Sequence, residues 1–509
     1  MKQKLIVIPL DERPCNYNFP YLLTKDTEFE VVRPPLSLMG NKKSKGDIDG
    51  IWEWLKEEAK QASGVVIAID TLLYSGIIPS RLHYDAKETL ITRLNQIKVL
   101  KEKYPNLLIY GFNLIMRNPK YSSSDEEPDY YEDWGSEIHR YGFINHKISL
   151  GIASPEEESE LYAINKRLPK EYLEDYLNRR KINKEVNLAF LQLIKDNVID
   201  FGIVPQDDSS PYGVTAVDQQ AIKRFMYDHS IGHRVYMYPG ADEVANVLLI
   251  RMINQLKGVT PRVFIRYTCY SGGNVIPLYE DRPLHETVKY QVIACGGVVV
   301  FSERDADLVL IVNAPPSNMV EASEQHNNII EYDAFRNLVE AVHYANYLIQ
   351  TLGKNVIFAD VAYANGADLA LIKLLSSQDL LFKVSGYAGW NTSSNSLGTC
   401  IPQGMIHHLY GTTKSHLDFL SLRYTEDAGY CSVVRSIIRE RDLPKLGLSV
   451  FLVDGERGSI STIVKRELDA FNRSVVKDET YAIEIEDCYM PWNRTFEVGL
   501  ATKVLKKKE

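Results

Sequence analysis

The 509-residue chain lacks long apolar runs, paired cysteines and basic clusters, and each absence excludes a class of protein. No stretch approaches the roughly 18 apolar residues of a membrane span, so we expect no membrane partner. The six cysteines are scattered without a CxxC pair, which is typical of reduced thiols in a cytoplasmic protein. The formal net charge of −9, with only a short lysine run near the C-terminus, argues against a nucleic-acid partner.

Signatures of common cofactors and nucleophiles are also missing. The absence of GxGxxG and Walker sequences excludes the usual dinucleotide and P-loop sites. There is no HExxH, and His407 and His408 are adjacent, so they do not face one ligand from a helix. No GxSxG elbow marks a serine nucleophile. We therefore expect no cofactor and no resident metal, with one open alternative in which Asp11, Asp70 and Asp207 hold a divalent cation.

The sequence does contain an alternation of short β-rich runs and helical stretches, which predicts a mostly parallel sheet with helical crossovers. Helices are predicted at residues 51–62, 87–103, 156–195, 218–228 and 244–256. Strands are predicted at residues 5–10, 29–32, 64–69, 107–112, 200–205, 234–238 and 262–268. Because seven strands come close to the eight of a TIM barrel, we expect a TIM-like or related parallel α/β barrel, with an open doubly wound sheet as the alternative.

A second α/β pattern follows the first. It predicts strands at residues 308–312, 355–362 and 384–387 around a helix at 333–352. Beyond residue 425 the pattern is mixed, with β segments expected at 481–485 and 495–498. We therefore predict a barrel-like catalytic domain over 1–300, a second, Rossmann-like α/β domain over 301–425, and a small β-containing region over 426–509. No internal repeat of fixed period is found.

Polar residues recur where the predicted strands end. In a parallel α/β fold these loops open on one face, so residues distant in sequence can share a pocket. The alternative is that such residues cap the following helix. The candidate substrate contacts are Asp11, Arg13, Asp70, Tyr74, Arg81, Asn113, Arg117, Asn365, Tyr387, Trp390 and Asn391.

Two pairs of adjacent acids are the candidate catalytic residues. They are Asp242 with Glu243, after the sixth predicted strand, and Asp207 with Asp208, after the fifth. Two carboxyls that are desolvated together cannot both ionise cheaply, so one can keep its proton and act as a general acid.

The sequence GADEV at 240–244 resembles the Gly-x-Asp-Glu-aliphatic motif of family 20 hexosaminidases, which are barrel enzymes. The resemblance implies that Glu243 protonates the glycosidic oxygen and that Asp242 orients the 2-acetamido group of the substrate. Tyr238 departs from that motif, which has His or Asn at this position. The pair Asp207 and Asp208 resembles, more loosely, the Asp-Asp pair of another group of substrate-assisted N-acetylglucosaminidases.

A broader resemblance spans nearly the whole chain. Its motifs are PLDERP at 9–14, DTLLYSG at 70–76 with Ser80 and Arg81, EEPDYY at 126–131, GADE at 240–243, YAGWNT at 387–392 and PWNRTFE at 491–497. Together they resemble a bacterial family classified as a domain of unknown function, which implies no particular activity.

Loops at 360–368 and 385–398 combine aromatic rings with amides, hydroxyls and glycines, a mixture that suits sugars. The same composition also suits a phosphate at a helix N-terminus, or an ordinary polar loop. We expect a glycoside hydrolase acting on a small glycoside or oligosaccharide, possibly one that contains N-acetylhexosamine. The alternatives are a non-catalytic carbohydrate- or metabolite-binding protein and a metal-dependent hydrolase.

Overall fold

The computed structural model describes residues 2–327 and 329–507, which form two compact units. Unit 1 comprises Met1–Glu12, Val31–Ala245 and Tyr279–Asp281. Unit 2 comprises Arg13–Glu30, Asn246–Leu278 and Arg282–Glu509. No helix in the described part of the chain has the length and apolarity that a bilayer crossing requires.

The strands are short and mostly buried. In chain order they are β1 Gln3–Ile8, β2 Phe29–Val32, β3 Ala62–Ala68, β4 Leu108–Phe112, β5 Phe201–Ile203, β6 Val235–Tyr236, β7 Arg262–Tyr267, β8 Val298–Val300, β9 Leu308–Asn313, β10 Val320–Glu321, β11 Asn355–Asp360, β12 Tyr363–Ala364, β13 Gly386–Ala388, β14 Tyr481–Tyr489 and β15 Gly499–Lys506.

The α-helices are separated by these strands and by loops. Up to residue 257 they are α1 Pro14–Tyr17, α2 Phe19–Thr24, α3 Ile48–Glu58, α4 Ile69–Tyr74, α5 Pro79–Leu82, α6 Lys87–Lys103, α7 Tyr131–Ser149, α8 Pro155–Arg167, α9 Lys170–Lys195, α10 Val214–Asp228 and α11 Val244–Lys257. The later ones are α12 Leu284–Ala294, α13 Ile330–Ala334, α14 Leu338–Asn346, α15 Leu369–Ser377, α16 Ser393–Tyr410, α17 Lys414–Arg423, α18 Arg435–Ile437, α19 Leu443–Leu446 and α20 Ser459–Ser474. Tyr347–Thr351, Tyr424–Val434 and Ile438–Asp442 are π-helical.

The sheet of unit 1 has six strands in the order β2-β1-β3-β4-β5-β6. From β1 to β6 every neighbouring pair is parallel. The central parts of these strands are apolar, as expected for a parallel sheet whose two faces are covered by helical crossovers. Residues 65–68 of β3, for example, are fully buried.

The expected barrel is not confirmed. The sheet begins at β2 and ends at β6, and the seventh predicted strand, β7, pairs instead with β8 and β9 in another sheet. Closing a barrel requires the first and last strands to pair, whereas here the chain places β2 on one side of β1 and all later strands on the other. This arrangement is the open, doubly wound alternative.

Unit 2 contains a parallel sheet of five strands in the order β8-β7-β9-β11-β13. Numbered within that sheet, the order is 2-1-3-4-5, the same as in the first five strands of unit 1. The topology therefore recurs, although the sequence shows no repeat of fixed period. In both sheets the chain reverses its direction of winding between the first and third strands, which is where doubly wound folds bind ligands.

The C-terminal region contains β structure as predicted, but its second strand is Gly499–Lys506, directly after the predicted segment 495–498. The strands β14 and β15 pair in antiparallel fashion from Tyr481 and Lys506 to Tyr489 and Gly499. The core of unit 2 extends to this hairpin, because Val504 belongs to the same buried cluster as Phe358 of β11 and Leu420 of α17.

Two predicted helices are divided in the structure. The one at 156–195 is two helices, α8 and α9, because Pro169 cannot donate the backbone hydrogen bond that a continuous helix needs. The one at 333–352 begins later, where the Asn337 side chain caps the N-terminus of α14, and ends in the π-helical segment Tyr347–Thr351.

Candidate functional site

The carboxyl ends of the unit 1 strands bring polar loops to one edge of the sheet. The loops after β4, β5 and β6 are joined directly, because Gln206 forms parallel bridges with Ile115 and with Pro239. The backbone N–H of Gly240 also donates to the carbonyl oxygen of Gln206 at 3.1 Å. This edge therefore holds the two predicted acid pairs on neighbouring loops.

Asp70 and Asn113 form a buried polar pair at this edge. The Asn113 amide and the backbone N–H of Leu114 each donate to Oδ2 of Asp70 at 3.1 Å. Burial raises the pKa of Asp70 to about 6, against the lowering effect of these hydrogen bonds. The hydroxyl of Thr71, the next residue, donates to the carbonyl oxygens of Pro9 and Leu10 at 2.7 and 2.9 Å. These bonds hold the loop after β1, which carries the buried Asp11.

A cluster of two guanidiniums and four carboxylates lies beside this pair. We call it the carboxylate–guanidinium cluster, and its members are Arg81, Arg117, Glu126, Glu127, Asp207 and Asp208. Four of them are predicted site residues. Glu126 and Glu127 come from the acidic loop between β4 and α7, and sequence reasoning did not place them in the site, although adjacent acids in a loop after a strand are a usable signal.

Arg81 joins two loops of the cluster. Its NH1 donates to Oε2 of Glu126 at 2.8 Å, and its NH2 donates to Oδ2 of Asp207 at 2.7 Å. Arg81 lies in the short helix α5 and is buried. A buried guanidinium requires anionic partners, so these bonds fix the side chain of Asp207.

Arg117 binds the other side of the cluster. Its Nε donates to Oε1 of Glu127 at 2.7 Å, its NH1 to Oδ2 of Asp208 at 3.4 Å, and its NH2 lies 3.0 Å from Oε2 of Glu126. The backbone of Arg117 is fixed as well, because the hydroxyl of Tyr176, in α9, donates to its carbonyl oxygen at 2.8 Å.

Three of the four carboxylates form the rim of the cluster, whereas Glu127 is buried. The side chains of Asp207 and Asp208 are 19% and 23% exposed, whereas those of Arg81 and Arg117 are 3% and 10% exposed. Desolvation, followed by the negative charge of Asp207, raises the pKa of Asp208 to about 6, although both arginines oppose this shift. Asp208 also has a left-handed backbone (φ 45°), a conformation that recurs at functional sites.

The second acid pair lies on a tight turn. Gly240 has φ 143°, a conformation that only glycine adopts readily, and a Cβ there would collide with Oε1 of Glu243. Oε2 of Glu243 accepts the backbone N–H of Ala241 at 3.0 Å, and the residue is fully buried. Asp242 is buried beside it. The Glu243 carboxylate therefore stabilises the turn itself.

Tyr74 is not part of the cluster. Its hydroxyl donates to Oδ1 of Asn183 at 3.1 Å, and its ring packs against His83. The residue is 1% exposed, so it contributes to the buried support beneath α4 and α5.

Five predicted contacts belong to unit 2. The Arg13 guanidinium lies 4.4 Å from the Trp492 ring centroid and 3.5 Å from Glu497. The other four are Asn365, Tyr387, Trp390 and Asn391, which follow β12 or lie in and after β13.

The loops of Asn365 and Asn391 are joined by their backbones. The N–H of Asn365 donates to the carbonyl oxygen of Asn391 at 2.7 Å, and both residues have left-handed backbones (φ 60° and 50°). Trp390 is buried, with its Nε1 donating to the hydroxyl of Thr399 at 3.2 Å.

Tyr387 leads to a buried polar network at the carboxyl edge of the unit 2 sheet. Its hydroxyl donates to Oδ2 of Asp360 at 2.7 Å, and the Asn313 amide donates to Oδ1 of Asp360 at 2.9 Å. Burial and then the charge of Asp368 raise the pKa of Asp360 to about 8. As in unit 1, an Asp and an Asn from the third and fourth strands of the sheet form this pair, here with the two residue types exchanged.

Another pair of adjacent acids that sequence reasoning missed, Glu426 and Asp427, lies in the π-helical segment Tyr424–Val434. Arg423 donates to Glu426 and, at 3.0 Å, to Oδ1 of Asp427. Oδ2 of Asp427 accepts the backbone N–H of Gly389 at 2.7 Å, which ties this segment to the loop that carries Trp390.

Within residues 2–327 and 329–507 no group of three or more His, Cys, Asp or Glu side chains is placed to hold a metal ion. Asp11, Asp70 and Asp207 accordingly do not form the cation site considered from the sequence.

The chain matches a protein-family model over most of its length. A family model described as "Protein of unknown function (DUF4127)" matches residues 5–501, which is nearly the whole chain. No curated protein matches the sequence.

Proposed function

The chain belongs to the DUF4127 family, and we propose that unit 1 is a glycoside hydrolase domain that uses Asp207 and Asp208 in acid/base catalysis. The observation that supports this best is the environment of Asp208, a partly exposed carboxyl whose pKa is raised to about 6 beside a second carboxylate. A general acid must hold a proton near working pH and must be accessible to the substrate, and the raised pKa and partial exposure of Asp208 support this role.

The reaction assigns one role to each carboxyl. Asp208 donates its proton to the glycosidic oxygen as the bond between that oxygen and the anomeric carbon breaks. A water oxygen bonds to the anomeric carbon and gives a proton to the Asp207 carboxylate. One water is consumed, each fragment leaves with a hydroxyl, and transfer of the proton from Asp207 to Asp208 restores the enzyme.

Of the two acid pairs, we assign the catalytic role to Asp207 and Asp208, because the Glu243 carboxylate of the other pair is already bound within its own turn. Glu243 is fully buried and accepts the Ala241 N–H, so it has little access to a glycosidic oxygen. We propose that it positions the loop after β6. Asp11, Asp70, Asn113 and the buried arginines then form the polar surround of the site in unit 1. In unit 2, considered by itself, the loops of Asn365 and Asn391 remain a proposed carbohydrate-binding feature.

A panel of aryl α- and β-glycosides tests the proposal. We expect the wild-type protein to hydrolyse at least one of them, and the product sugar to raise its melting temperature. Activity should survive a strong chelator, and loss of activity on chelation would instead support a metal-dependent hydrolase. If the panel gives no turnover while a sugar raises the melting temperature, unit 1 is a binding domain and the catalytic assignment is wrong.

The pH dependence of wild type and Glu126→Gln offers a second test. Loss of the proton from a general acid with a pKa of about 6 makes kcat/KM fall as pH rises through 6, and this falling limb is the part of the profile that reports on Asp208. The charge of Glu126 contributes to raising that pKa, so Glu126→Gln should move the falling limb to lower pH.

The matched control for that shift is Asp228→Asn, which removes a negative charge from an exposed position at the end of α10. The falling limb of the kcat/KM profile of Asp228→Asn should coincide with that of the wild type. A limb that stays in place in Glu126→Gln, or that moves to higher pH, would show that another group controls the profile.

A further inference from the structure

The rim of the carboxylate–guanidinium cluster presents acceptors to a ligand. Asp208, Asp207 and Glu126 are its more exposed members, at 23%, 19% and 17%, while Arg81 and Arg117 lie behind them. A ligand that approaches from solvent therefore meets carboxylate oxygens before it meets a guanidinium.

Both guanidiniums are already occupied. NH1 and NH2 of Arg81 donate to Glu126 and Asp207, and Nε, NH1 and NH2 of Arg117 each face a carboxylate of the cluster. Arginine recognises carboxylates and phosphates through this same fork of donors. An anionic substrate would have to displace existing partners and would also face the repulsion of the remaining carboxylates.

The formal charges of the cluster do not balance. Within these six side chains two guanidiniums face four carboxylates, so their formal charge is −2, or −1 when Asp208 carries the proton that it donates in catalysis. Charge complementarity at a partly desolvated site therefore favours a ligand with a single positive charge.

A buried carboxylate oxygen in the cluster also favours a ligand that donates hydrogen bonds. Glu127 is 1% exposed, and its Oε1 accepts from Nε of Arg117, while its Oε2 has no hydrogen-bond partner among the described residues. A buried acceptor without a donor costs free energy, so the cluster has more acceptor capacity than its own donors satisfy.

We propose that the substrate of this site carries a protonated primary amine, as in a glycoside of an amino sugar whose nitrogen is not acylated. This inference depends on the proposed function and specifies its substrate class. An ammonium group supplies three donors and one positive charge, and hydrogen bonds between ions are stronger than neutral ones. Uronic acid and sugar phosphate glycosides lack both properties and should be rejected.

The experiment compares three matched aryl glycosides, each in both anomeric forms, that differ only at carbon 2 by an amine, an acetamide or a hydroxyl, together with an aryl glucuronide. We expect kcat/KM for the amine to exceed that for the acetamide and the hydroxyl by about tenfold or more. The preference should shrink as salt is raised, because salt screens the charge at the rim. The glucuronide should not be turned over.

Two variants sharpen the comparison. Glu126→Gln removes one negative charge from the cluster and should reduce the ratio of kcat/KM for the amine to that for the hydroxyl. Asp228→Asn removes an exposed charge from α10 and should leave the ratio unchanged.

The outcomes separate this inference from the proposed function. Turnover of the acetamide or the hydroxyl glycoside without a preference for the amine would overturn the substrate class and leave the hydrolase standing. No turnover, with free glucosamine raising the melting temperature more than N-acetylglucosamine or glucuronate, would overturn the hydrolase and support the amine as the recognised group. No turnover and no shift with any of them would overturn both.

Discussion

Asp208→Asn is expected to lower kcat by about 10²–10⁴-fold on the best glycoside of the wild-type protein, because an amide has no proton to give to the leaving oxygen. The fold should tolerate the change, since the Asn carbonyl oxygen can still accept from NH1 of Arg117. The pKa of Asp208 is raised in the folded protein, so its ionised form destabilises the fold as pH rises above the ordinary Asp value. Replacing it with a neutral amide should therefore leave the melting temperature at pH 8 equal to or above that of the wild type.

The dependence of the activity loss on the leaving group is the most specific test of the acid role of Asp208. A glycoside with a poor leaving group needs the proton more than one with an activated nitrophenol, so the loss in Asp208→Asn should grow as the leaving group becomes more basic. Asp228→Asn should retain wild-type kinetics with every leaving group. Equal losses for all leaving groups would remove the acid role from Asp208. A full loss in Glu243→Gln with wild-type kinetics in Asp208→Asn would assign that role to Glu243.

The positions of the site loops follow from the sequence more directly than the roles of their residues. Short apolar runs that end in polar residues predict parallel strands with a shared edge, and the structure places Asp70 beside Asn113 and Asp207 beside Arg81 there. The resemblance of the GADE motif implied an acid role for Glu243, yet the Glu243 carboxylate binds the backbone of its own turn. A local motif does not show which way a side chain folds, and here the turn at Gly240 allows it to fold back.

The sequence could not show which residues far apart in the chain are in contact. Glu126 and Glu127 lie in a loop without periodicity, and only the folded chain brings them to Arg81 and Arg117. The barrel was predicted from the number of strands, and that number contains no information about their order in the sheet. The position of β2 outside β1 depends on how the crossover between them is wound, and this makes the sheet open.

Arg423→Met is expected to destabilise unit 2 by about 3–5 kcal/mol at pH 8.5, because it leaves buried carboxylates without their cation. Arg423 is fully buried and binds both Glu426 and Asp427, and its guanidinium lies 4.3 Å from the centroid of the Phe19 ring. Urea denaturation of the full chain, followed through a probe in unit 2, measures the change. Arg441→Met is the matched control: Arg441 is half-exposed and pairs with Asp442 and Glu467 at the surface, where such pairs contribute about 0–1 kcal/mol.

The pH dependence of this variant follows from Asp427. Burial raises the pKa of Asp427 to about 7 even though Arg423 opposes the shift, so without Arg423 that pKa should rise further. A raised carboxyl pKa means that stability is lost as pH rises, and the loss in Arg423→Met should therefore be smaller at pH 5.5, where Asp427 takes up a proton. The double variant Arg423→Met/Asp427→Asn should recover part of the loss at pH 8.5.

Equal losses at both pH values, or no recovery, would show that Arg423 acts through packing on Phe19 and not through charge. Asp427 also accepts the backbone N–H of Gly389. If Arg423 acts through its charge, the Arg423–Asp427 ion pair therefore also positions the loop that carries Trp390.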